Sequence, residues 1–408
     1  MSNEDTAHEA PTRRDYVKYG GTVVGGGLLA GCTGDGGGDS PETDTSTEGS
    51  TNEETENPED ASYSVNMSPV GTVEFKEPPQ SIFTVLVHHA DMALALGYGD
   101  AINAMYSPTE FDSRYRLFLD RLDGVSIDWS DLDNAWNIGK ERLYDLDSDI
   151  HLTDPAYVVA QMDNWDVADT EEVRENIAPW FGNTLSGEHS QAPSPWTDDY
   201  QYYTLWEIFE KVSKVFQEER RYQVLTEIHS NLVSTIQSNL PPEVERPRTA
   251  YLNIARTGIQ DGIWAYSLNQ PGFFRASTRP LRANDAFPDL KQFQRIDREA
   301  LVAADPDVIL RTGSMGEGRN WAEIKNELKN DPVTQEILAV QNDRIHPLAV
   351  QYGGPILNLF QLEMAAKELY PERFGQWPSY DGGRYPDFSP EEQLFDHQRV
   401  ADIINGDI

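Results

Sequence analysis

The apolar pattern near residue 80 predicts three consecutive elements. Ser81–Val87 is an unbroken run of mostly apolar and β-branched residues, which predicts a strand buried on both faces. Ala90–Leu96 predicts a helix that ends at Gly97, because a residue just past a helix often adopts the left-handed conformation that suits glycine. Ala101–Tyr106 predicts a second strand, and Thr72–Phe75 alternates like a strand before them. Strand, helix and strand in this order indicate a βαβ unit of a parallel sheet.

A twelve-residue pattern occurs twice without a gap, at Glu141–Leu152 and at Glu299–Leu310. Glutamate, leucine and two aspartates recur at the same offsets, and both copies end in apolar residues. Each copy predicts a short helix, an Asp-x-Asp turn and a strand. A repeated unit of this kind indicates two lobes of similar architecture.

Between the copies, Glu218–Asn239 predicts one long amphipathic helix, which a pair of prolines at 241–242 ends. Its apolar stripe recurs every three or four residues: Tyr222, Leu225, Ile228, Leu232 and Ile236. The predicted fold class is therefore α/β, with two lobes on central, mostly parallel sheets joined by this helix. We assign residues 64–216 to an N-terminal lobe, 217–241 to the connecting helix, and 242–408 to a C-terminal lobe with a tail.

Residues 1–31 have the features of an export signal. Arg13 and Arg14 precede an apolar run that is too short to cross a bilayer, an arrangement typical of a twin-arginine signal. The run ends in Leu-Ala-Gly-Cys, which is similar to the lipobox of exported lipoproteins, where the cysteine, here Cys32, is lipidated. Residues 32–63 are small, polar and acidic, which predicts a solvated tether.

Acidic residues dominate the chain, whose formal net charge is −37. Residues 33–62 hold ten acidic residues and no basic one, so most of the excess lies on the folded part. Lysine is scarce, with nine residues against 23 arginines. This balance predicts adaptation to high salt, where screening removes self-repulsion, with a cation-gathering surface as the alternative. It excludes nucleic acid as a partner, because phosphates require a basic surface.

The sequence lacks the motifs of common enzymes. It contains no Gly-x-Ser-x-Gly, no His-Glu-x-x-His and no phosphate loop ending in Gly-Lys-Ser or Gly-Lys-Thr. Cys32 is the only cysteine, which excludes disulfides, thiolate metal sites and a cysteine nucleophile within the fold. We expect a binding protein that is not an enzyme and needs no cofactor. A surface-anchored hydrolase is the alternative from another class.

Several stretches resemble the helical-backbone class of ABC-transporter substrate-binding proteins. They are Ser81–Tyr106, Asn137–Leu152, Asp297–Leu310, Ala339–Ile345 and Leu369–Phe374. The resemblance covers most of residues 70–374 and implies a ligand cleft between two lobes, with delivery of the ligand to a membrane permease and its ATPase. The spacing from Asn137 to Glu141 is wider than in that class, residues 161–200 form a longer segment, and the tail after Phe374 is unfamiliar.

The resemblance further implies that one exposed glutamate on each lobe docks onto arginines of the permease. By their position in the motifs these are Glu141 and Glu299. Two carboxylates on opposite lobes would suit guanidinium partners. The alternative is that each glutamate is placed at a helix start only because the helix dipole favours it there.

Ligands in such folds bind at the carboxyl ends of the strands. The candidates near predicted strand ends or in loops are His88, Tyr106, Trp136, Tyr157, Arg256, Trp264, Arg311 and Tyr352. Aromatic rings and guanidinium groups suit a bulky anionic ligand, because rings pack on its apolar parts and guanidinium pairs with its charge. A ferric siderophore is the expected ligand, and the class leaves cobalamin and haem open.

His88 and His89 raise the alternative of a bare metal ion, which would need several histidines together with acidic residues. Adjacent histidines on a strand point to opposite faces, which argues against one ion held by both. The sequence thus predicts a monomeric, extracytoplasmic binding protein, anchored to the outer face of the cell membrane by a lipid on Cys32.

Overall fold

The structure, a computed structural model, describes residues 62–290, 293–316, 321–380 and 382–408. The predicted export signal with Arg13, Arg14 and Cys32 lies outside these residues, as does the tether up to residue 61. The strands are β1 (Tyr63–Met67), β2 (Gly71–Phe75), β3 (Ile82–Phe83), β4 (Ile102–Met105), β5 (Asp133–Asn134), β6 (Ile150–His151), β7 (Arg248–Ile254), β8 (Ile263–Tyr266), β9 (Asn284–Asp285), β10 (Phe293–Ile296), β11 (Val308–Arg311) and β12 (Ile345–Pro347). The helices are α1 (Val87–Ala95), α2 (Pro108–Leu119), α3 (Lys140–Leu146), α4 (Pro155–Gln161), α5 (Val167–Asn176), α6 (Leu205–Val215), α7 (Glu219–Ser238), α8 (Arg298–Ala304), α9 (Trp321–Asn330), α10 (Leu338–Gln341), α11 (Pro355–Leu369), α12 (Pro371–Phe374) and α13 (His397–Asn405).

The first lobe is built on a four-stranded parallel sheet with the order β5-β4-β3-β6. In its middle, Ile82 pairs with Ile102 on one side and with Ile150 on the other. β1 and β2 form a separate antiparallel hairpin. The predicted βαβ unit is confirmed, because β3 and β4 are parallel and α1 connects them.

The second lobe has a six-stranded mixed sheet with the order β10-β8-β7-β11-β12, in which β9 also pairs with β7. β7, β9, β11 and β12 run parallel, β8 is antiparallel to β7, and β10 is antiparallel to β8. The two sheets, with the long helix α7 before the first strand of the second, confirm the predicted α/β fold class with two lobes. The predicted long helix is present as α7, with Val224, Leu225, Leu232 and Ile236 buried.

The C-terminal segment returns to the first lobe. Every residue of α11 is buried, and this helix packs against α1 and α7. The tail continues along the same side, where the N–H of Tyr385 donates to the carbonyl of Leu117 at 2.9 Å and Asn405 Nδ2 donates to the carbonyl of Asp123 at 2.8 Å. The sequence assigned all of 242–408 to one lobe with a tail, whereas residues from 355 onward contact helices of the first lobe.

The strand predicted over Ser81–Val87 is shorter than expected, because β3 ends at Phe83 and α1 begins at Val87. All nine residues of α1 are buried. A helix buried on every side has no polar face, so the period of its apolar residues does not distinguish it from a buried strand. His88 and His89 therefore lie in the first turn of a helix, and the prediction that they lie at a strand on opposite faces is wrong.

Candidate ligand site between the lobes

Five aromatic rings from both lobes form a continuous row, called the aromatic row below. The rings of Tyr106 and Trp136 are 5.3 Å apart, and Phe111 in α2 follows at 6.2 Å from Tyr106. The ring of Tyr352 lies 5.9 Å from Phe111 and 5.8 Å from Phe274. Phe111 is buried, whereas the other four rings are partly exposed. The row thus offers apolar surface at the junction of the two lobes.

The sheet topology explains why the first two rings meet. β4 and β5 are parallel, with Met105 opposite Asn134, so Tyr106 and Trp136 follow neighbouring strands at the same edge. Carboxyl ends of parallel strands are the usual place for ligands in α/β folds. Tyr352 lies in the loop that follows β12, so it comes from a strand end of the second lobe. Three of the predicted ligand residues are therefore members of one cluster.

Arg275 directly follows the last member of the row and is 1% exposed. Its Nη1 donates to Oε1 of Gln351 at 2.8 Å, and its Nε donates to a backbone carbonyl at 2.6 Å. Its guanidinium carbon lies 5.5 Å from the ring of Tyr251 and 5.2 Å from that of Tyr266. A guanidinium between aromatic rings keeps its charge in a buried place, because the rings and the acceptors replace part of its hydration.

The acidic partner of this arginine comes from the other lobe. Nη2 of Arg275 lies 3.4 Å from Oε1 of Glu188, which belongs to the long segment 161–200. Burial raises the pKa of Glu188, and the neighbouring Arg275 opposes that rise. The backbones are also close, since a Cβ on Gly272 would lie 2.3 Å from the carbonyl oxygen of Gly187. Segment 161–200 thus contacts the second lobe beside the aromatic row.

A second contact between the lobes involves Arg114 in α2, which is 2% exposed. Its Nε donates to the carbonyl of Met315 at 2.7 Å, and its Nη2 donates to Glu110 at 2.7 Å. Its guanidinium carbon lies 5.1 Å from the ring of Phe111. Arginines of opposite lobes therefore flank the aromatic row, and separation of the lobes would break the contacts of both.

His88 and His89 are wholly buried near the same place. Their rings lie 3.9 Å apart, and the ring of His88 lies 4.9 Å from Phe273 of the second lobe. None of their four ring nitrogens has a hydrogen-bond partner among the described residues. Burial lowers the pKa of His89 to about 3 and that of His88 well below its usual value, so both rings are neutral at pH 7.

The remaining four candidates lie elsewhere. Tyr157 is a partly exposed residue of α4, and Arg256 is exposed in the turn after β7. Trp264 was expected in a loop but lies within β8, where the guanidinium of Arg295 lies 5.9 Å from its ring. Arg311 is the buried last residue of β11 and donates to the carbonyl of Ile254 and to Ser314 Oγ. These hydrogen bonds stay within the second lobe.

The two glutamates predicted to dock are exposed, each in the first turn of a seven-residue helix. Glu141 lies in α3 and Glu299 in α8, at corresponding positions of the two motif copies. Neighbouring basic residues have other partners: Lys140 pairs with Asp169 at 2.6 Å and Arg298 with Asp331 at 2.6 Å. Both glutamates therefore keep their charge available at the surface.

Sequence reasoning missed Phe111, Phe274, Arg275 and Glu188. Phe273-Phe274-Arg275 follows Gly272 in a segment without a clear period, and two aromatic residues before an arginine were a usable signal. Glu188 gave no signal, because acidic residues are abundant throughout this chain. Only the folded structure distinguishes Glu188, because this residue precedes Arg275 by 87 residues along the chain and yet lies beside it.

In the part of the chain that the structure describes, no group of three or more histidine, cysteine, aspartate or glutamate side chains could hold a metal ion. Among the same residues, no helix has the length and apolar character needed to cross a membrane.

Comparison with known proteins agrees with this architecture. A family model described as periplasmic binding protein matches residues 129–350. No curated protein shows a significant match. A periplasmic binding protein from Veillonella parvula has a TM-score of 0.55 at 16% identity, over 78% of this chain and 94% of its own. A periplasmic solute binding protein from the same species has a TM-score of 0.53 at 13% identity, over 85% and 99%. Helicobacter pylori Ceue with Ni(II) bound has a TM-score of 0.52 at 15% identity, over 76% and 90%.

Proposed function

The chain belongs to the periplasmic binding protein family, and from this premise we propose that it captures a ferric siderophore between its lobes and delivers it to an ABC permease and its ATPase. Proteins of this family bind their substrates outside the cytoplasm for transport and do not convert them. The hydrolase alternative therefore loses its support. The iron chelate is the part of the proposal that rests on the site itself.

The observation that supports an anionic chelate is the aromatic row beside the buried cation of Arg275. With a net charge of −37, the protein repels anions over most of its surface, so capture of one requires a local positive group. Arg275 provides it at the junction of the lobes when the ligand displaces Glu188, and partly exposed rings adjoin it. A ferric catecholate or carboxylate chelate combines the apolar faces and the negative charge that such a site accepts.

A bare metal ion is the second candidate, and the arrangement of His88 and His89 favours it. Their neutral rings lie side by side, and their ring nitrogens lack hydrogen-bond partners among the described residues. Neutral imidazole nitrogen is a good ligand for nickel, zinc and copper. The related fold of Helicobacter pylori Ceue holds Ni(II). Two nitrogens do not complete a coordination shell, so a chelate that supplies the other ligands remains the first choice.

Tryptophan fluorescence of the purified protein in high salt tests the proposal. We expect saturable quenching by one ferric siderophore from a panel that includes cobalamin, haem and divalent metals. Trp136→Phe should remove most of the quenching, because Trp136 belongs to the aromatic row. Trp264→Phe is the matched control and should retain it, because Trp264 lies within β8.

Other outcomes of this titration contradict the iron-chelate proposal. Quenching only by nickel or zinc, lost in His88→Gln, would transfer the function to the histidine pair. No response to any ferric chelate would show that the cargo is of another class. Equal quenching in both tryptophan variants would show that the ligand does not contact the aromatic row.

Export and anchoring rest on the sequence. The proposal is that Arg13 and Arg14 direct export and that a lipid on Cys32 holds the protein, as a monomer, on the outer face of the membrane. Cys32→Ser should release the folded protein into the medium, and Arg13→Lys with Arg14→Lys should retain it in the cytoplasm. Cell fractionation measures both, and membrane retention of Cys32→Ser would contradict the lipid anchor.

A further inference from the structure

A groove of about 440 Å³ opens on the second lobe, and none of the residues that line it belongs to the aromatic row. Arg246, Arg279 and Arg282 line it, together with Asn284 of β9. Arg246 lies just after the connecting helix α7, and its Nε donates to the carbonyl of Pro241 at 3.0 Å. The groove therefore lies where the chain leaves the connector and enters the second lobe.

The three guanidinium groups have no acidic partner among the described residues. Arg246 Nη1 donates to the carbonyl of Arg282 at 3.3 Å, and Arg279 Nη1 donates to the carbonyls of Gln270 and Gly272 at 2.9 and 3.1 Å. All these acceptors are backbone oxygens. Several donor N–H groups of the trio remain available, and no carboxylate compensates the three charges.

The acidic residues that line the groove do not neutralise it. Asp285 accepts from Ser267 Oγ and from the N–H of Leu268 through one oxygen, and from the N–H of Phe287 through the other. Both carboxylate oxygens of Asp285 thus accept hydrogen bonds from groups other than the three arginines. Glu243 is exposed at the rim, and neither it nor Asp285 forms an ion pair with the trio in the described part of the chain.

These three arginines lie together without a carboxylate partner in a strongly acidic chain. Acidic residues outnumber basic ones by 69 to 32, and other arginines do find carboxylates. Arg116 pairs with Asp112 at 2.7 Å and Arg298 with Asp331 at 2.6 Å. Burial and the nearby Arg275 lower the pKa of Arg279, because both disfavour its positive charge. Three arginines in one groove without a carboxylate partner would be stabilised by an external anion.

We propose that this groove binds a small multivalent oxyanion at a site separate from the cleft between the lobes. Planar guanidinium groups donate in pairs to oxygens of phosphate, sulfate or carboxylate, and three of them around one groove match an ion with several charges better than chloride. The oxyanion is either a free inorganic ion or the charged end of an organic acid.

Thermal unfolding and calorimetric titration of the full chain test this site. Sodium sulfate, phosphate or citrate replaces sodium chloride at constant ionic strength, so that screening is equal. We expect at least one of the three to bind saturably and to raise the unfolding temperature of the protein. Phosphate and sulfate would identify an inorganic ion, and a response to citrate alone would identify an organic acid.

Variants separate this binding from the general stabilisation that sulfate and citrate produce. Arg282→Asn removes one exposed guanidinium and suits the left-handed backbone at that residue, whose φ is 49°. Arg373→Gln removes the same charge from an exposed position on α12. We expect Arg282→Asn to lose at least about tenfold in oxyanion affinity and Arg373→Gln to keep it. Equal responses of the two variants, or no saturable heat with any of the three oxyanions, would overturn the proposal.

Discussion

The two copies of the repeated pattern form the same turn in the two lobes. Asp147 directly follows α3 with φ 45°, and Asp305 directly follows α8 with φ 39°, both in the left-handed conformation that aspartate tolerates. Glycine is the more common residue at such helix ends. An identical turn 158 residues later shows that the local pattern is sufficient to specify it.

The second aspartate of each turn fixes a neighbouring strand in the same way. The carboxylate of Asp149 accepts from the N–H of Ser81 at 2.9 Å, and that of Asp307 accepts from the N–H of Arg248 at 2.8 Å. Their own N–H groups donate back to the carbonyls of Ser81 and Arg248 at 2.9 and 2.8 Å. The repeat is therefore a structural unit that joins a helix end to the start of an adjacent parallel strand.

The surroundings of the copies differ. β6 lies at the edge of its sheet, whereas β11 lies between β7 and β12. In the second copy, Asp305 Oδ1 accepts from the N–H of Leu338 at 2.9 Å and Asp297 caps α8 through the N–H of Ala300 at 2.7 Å. Gly139 precedes α3 and offers no side-chain cap. The same local unit is thus held more firmly where its tertiary neighbours supply partners.

Charge reversal of the two glutamates that the copies share should have the largest effect. Glu141→Lys and Glu299→Lys should each reduce uptake of the ligand by cells at least about tenfold, because each would place like charges against the permease arginines. The double variant should abolish uptake, while ligand affinity of the purified protein stays unchanged. Glu227→Lys on α7 is an exposed control that should retain uptake. Loss of ligand affinity in either variant would contradict docking.

The second-largest effect should come from variants of the contact between Arg275 and Glu188. This contact between the lobes lies outside both copies of the repeated pattern. Arg275→Gln should weaken binding of an anionic chelate about 100-fold, because a charged hydrogen bond is lost in a buried place. Glu188→Gln should strengthen binding severalfold, because the ligand then no longer competes with Glu188 for Arg275. Calorimetric titration measures both affinities. If Arg275 served only to hold the lobes together, both variants would change affinity in the same direction.

Acid should destabilise the protein through its buried histidines, of which His88, His89 and His151 are wholly buried in the first lobe and His346 lies in the second. Burial lowers the pKa of His89 to about 3 and that of His151 to about 4. Below pH 6.5 the unfolded chain binds protons that the native state does not, so stability present above that pH is lost as the pH falls. We expect a loss of about 2 kcal/mol per buried histidine between pH 7 and 5.

Denaturant unfolding at pH 7, 6 and 5 measures this loss. His151→Gln keeps a donor for the carbonyl of Ala178 and should reduce the loss by one histidine's share. His189→Gln replaces an exposed histidine and should change it least. Asp91 has the opposite effect on stability as the pH falls, because burial raises its pKa to about 6. The loss of stability is therefore compared between variants that all keep Asp91. Equal pH profiles for the protein and His151→Gln would contradict the prediction.

The smallest expected effect is a difference in the free energy of unfolding between variants of the two Asp-x-Asp turns. Asp147→Gly should change the free energy of unfolding by no more than about 0.5 kcal/mol, because glycine adopts the left-handed conformation easily and Asp147 is exposed. Asp305→Gly should destabilise the protein by about 1 kcal/mol, because the hydrogen bond to Leu338 is lost. Chemical denaturation measures both. Equal effects would show that the extra partner in the second copy contributes nothing.

The sequence located part of the candidate site correctly in space, for a definable reason. Tyr106 follows a predicted strand, Trp136 precedes Glu141 and Tyr352 lies in a predicted loop, and the structure brings all three into the aromatic row. Arg311 also follows a predicted strand, yet its side chain donates to the carbonyl of Ile254 within its own lobe. Strand ends are predictable from pattern, whereas the direction and burial of a side chain depend on what packs around it.

The sequence by itself determined the βαβ start of the first lobe, the helix α7 and the two Asp-x-Asp turns. Each of these follows from a pattern of residues that are close together along the chain. Tertiary structure alone decided where β3 gives way to α1 and which groups meet between the lobes. Val87–Ala95 is buried on all sides, so no polar period distinguishes it from a strand. The pairing of Glu188 with Arg275 joins residues of different lobes, and in a chain with 69 acidic residues no local pattern selects that glutamate. Glu188 matters because it lies where the lobes meet. A charge that is shielded from water there must have a partner.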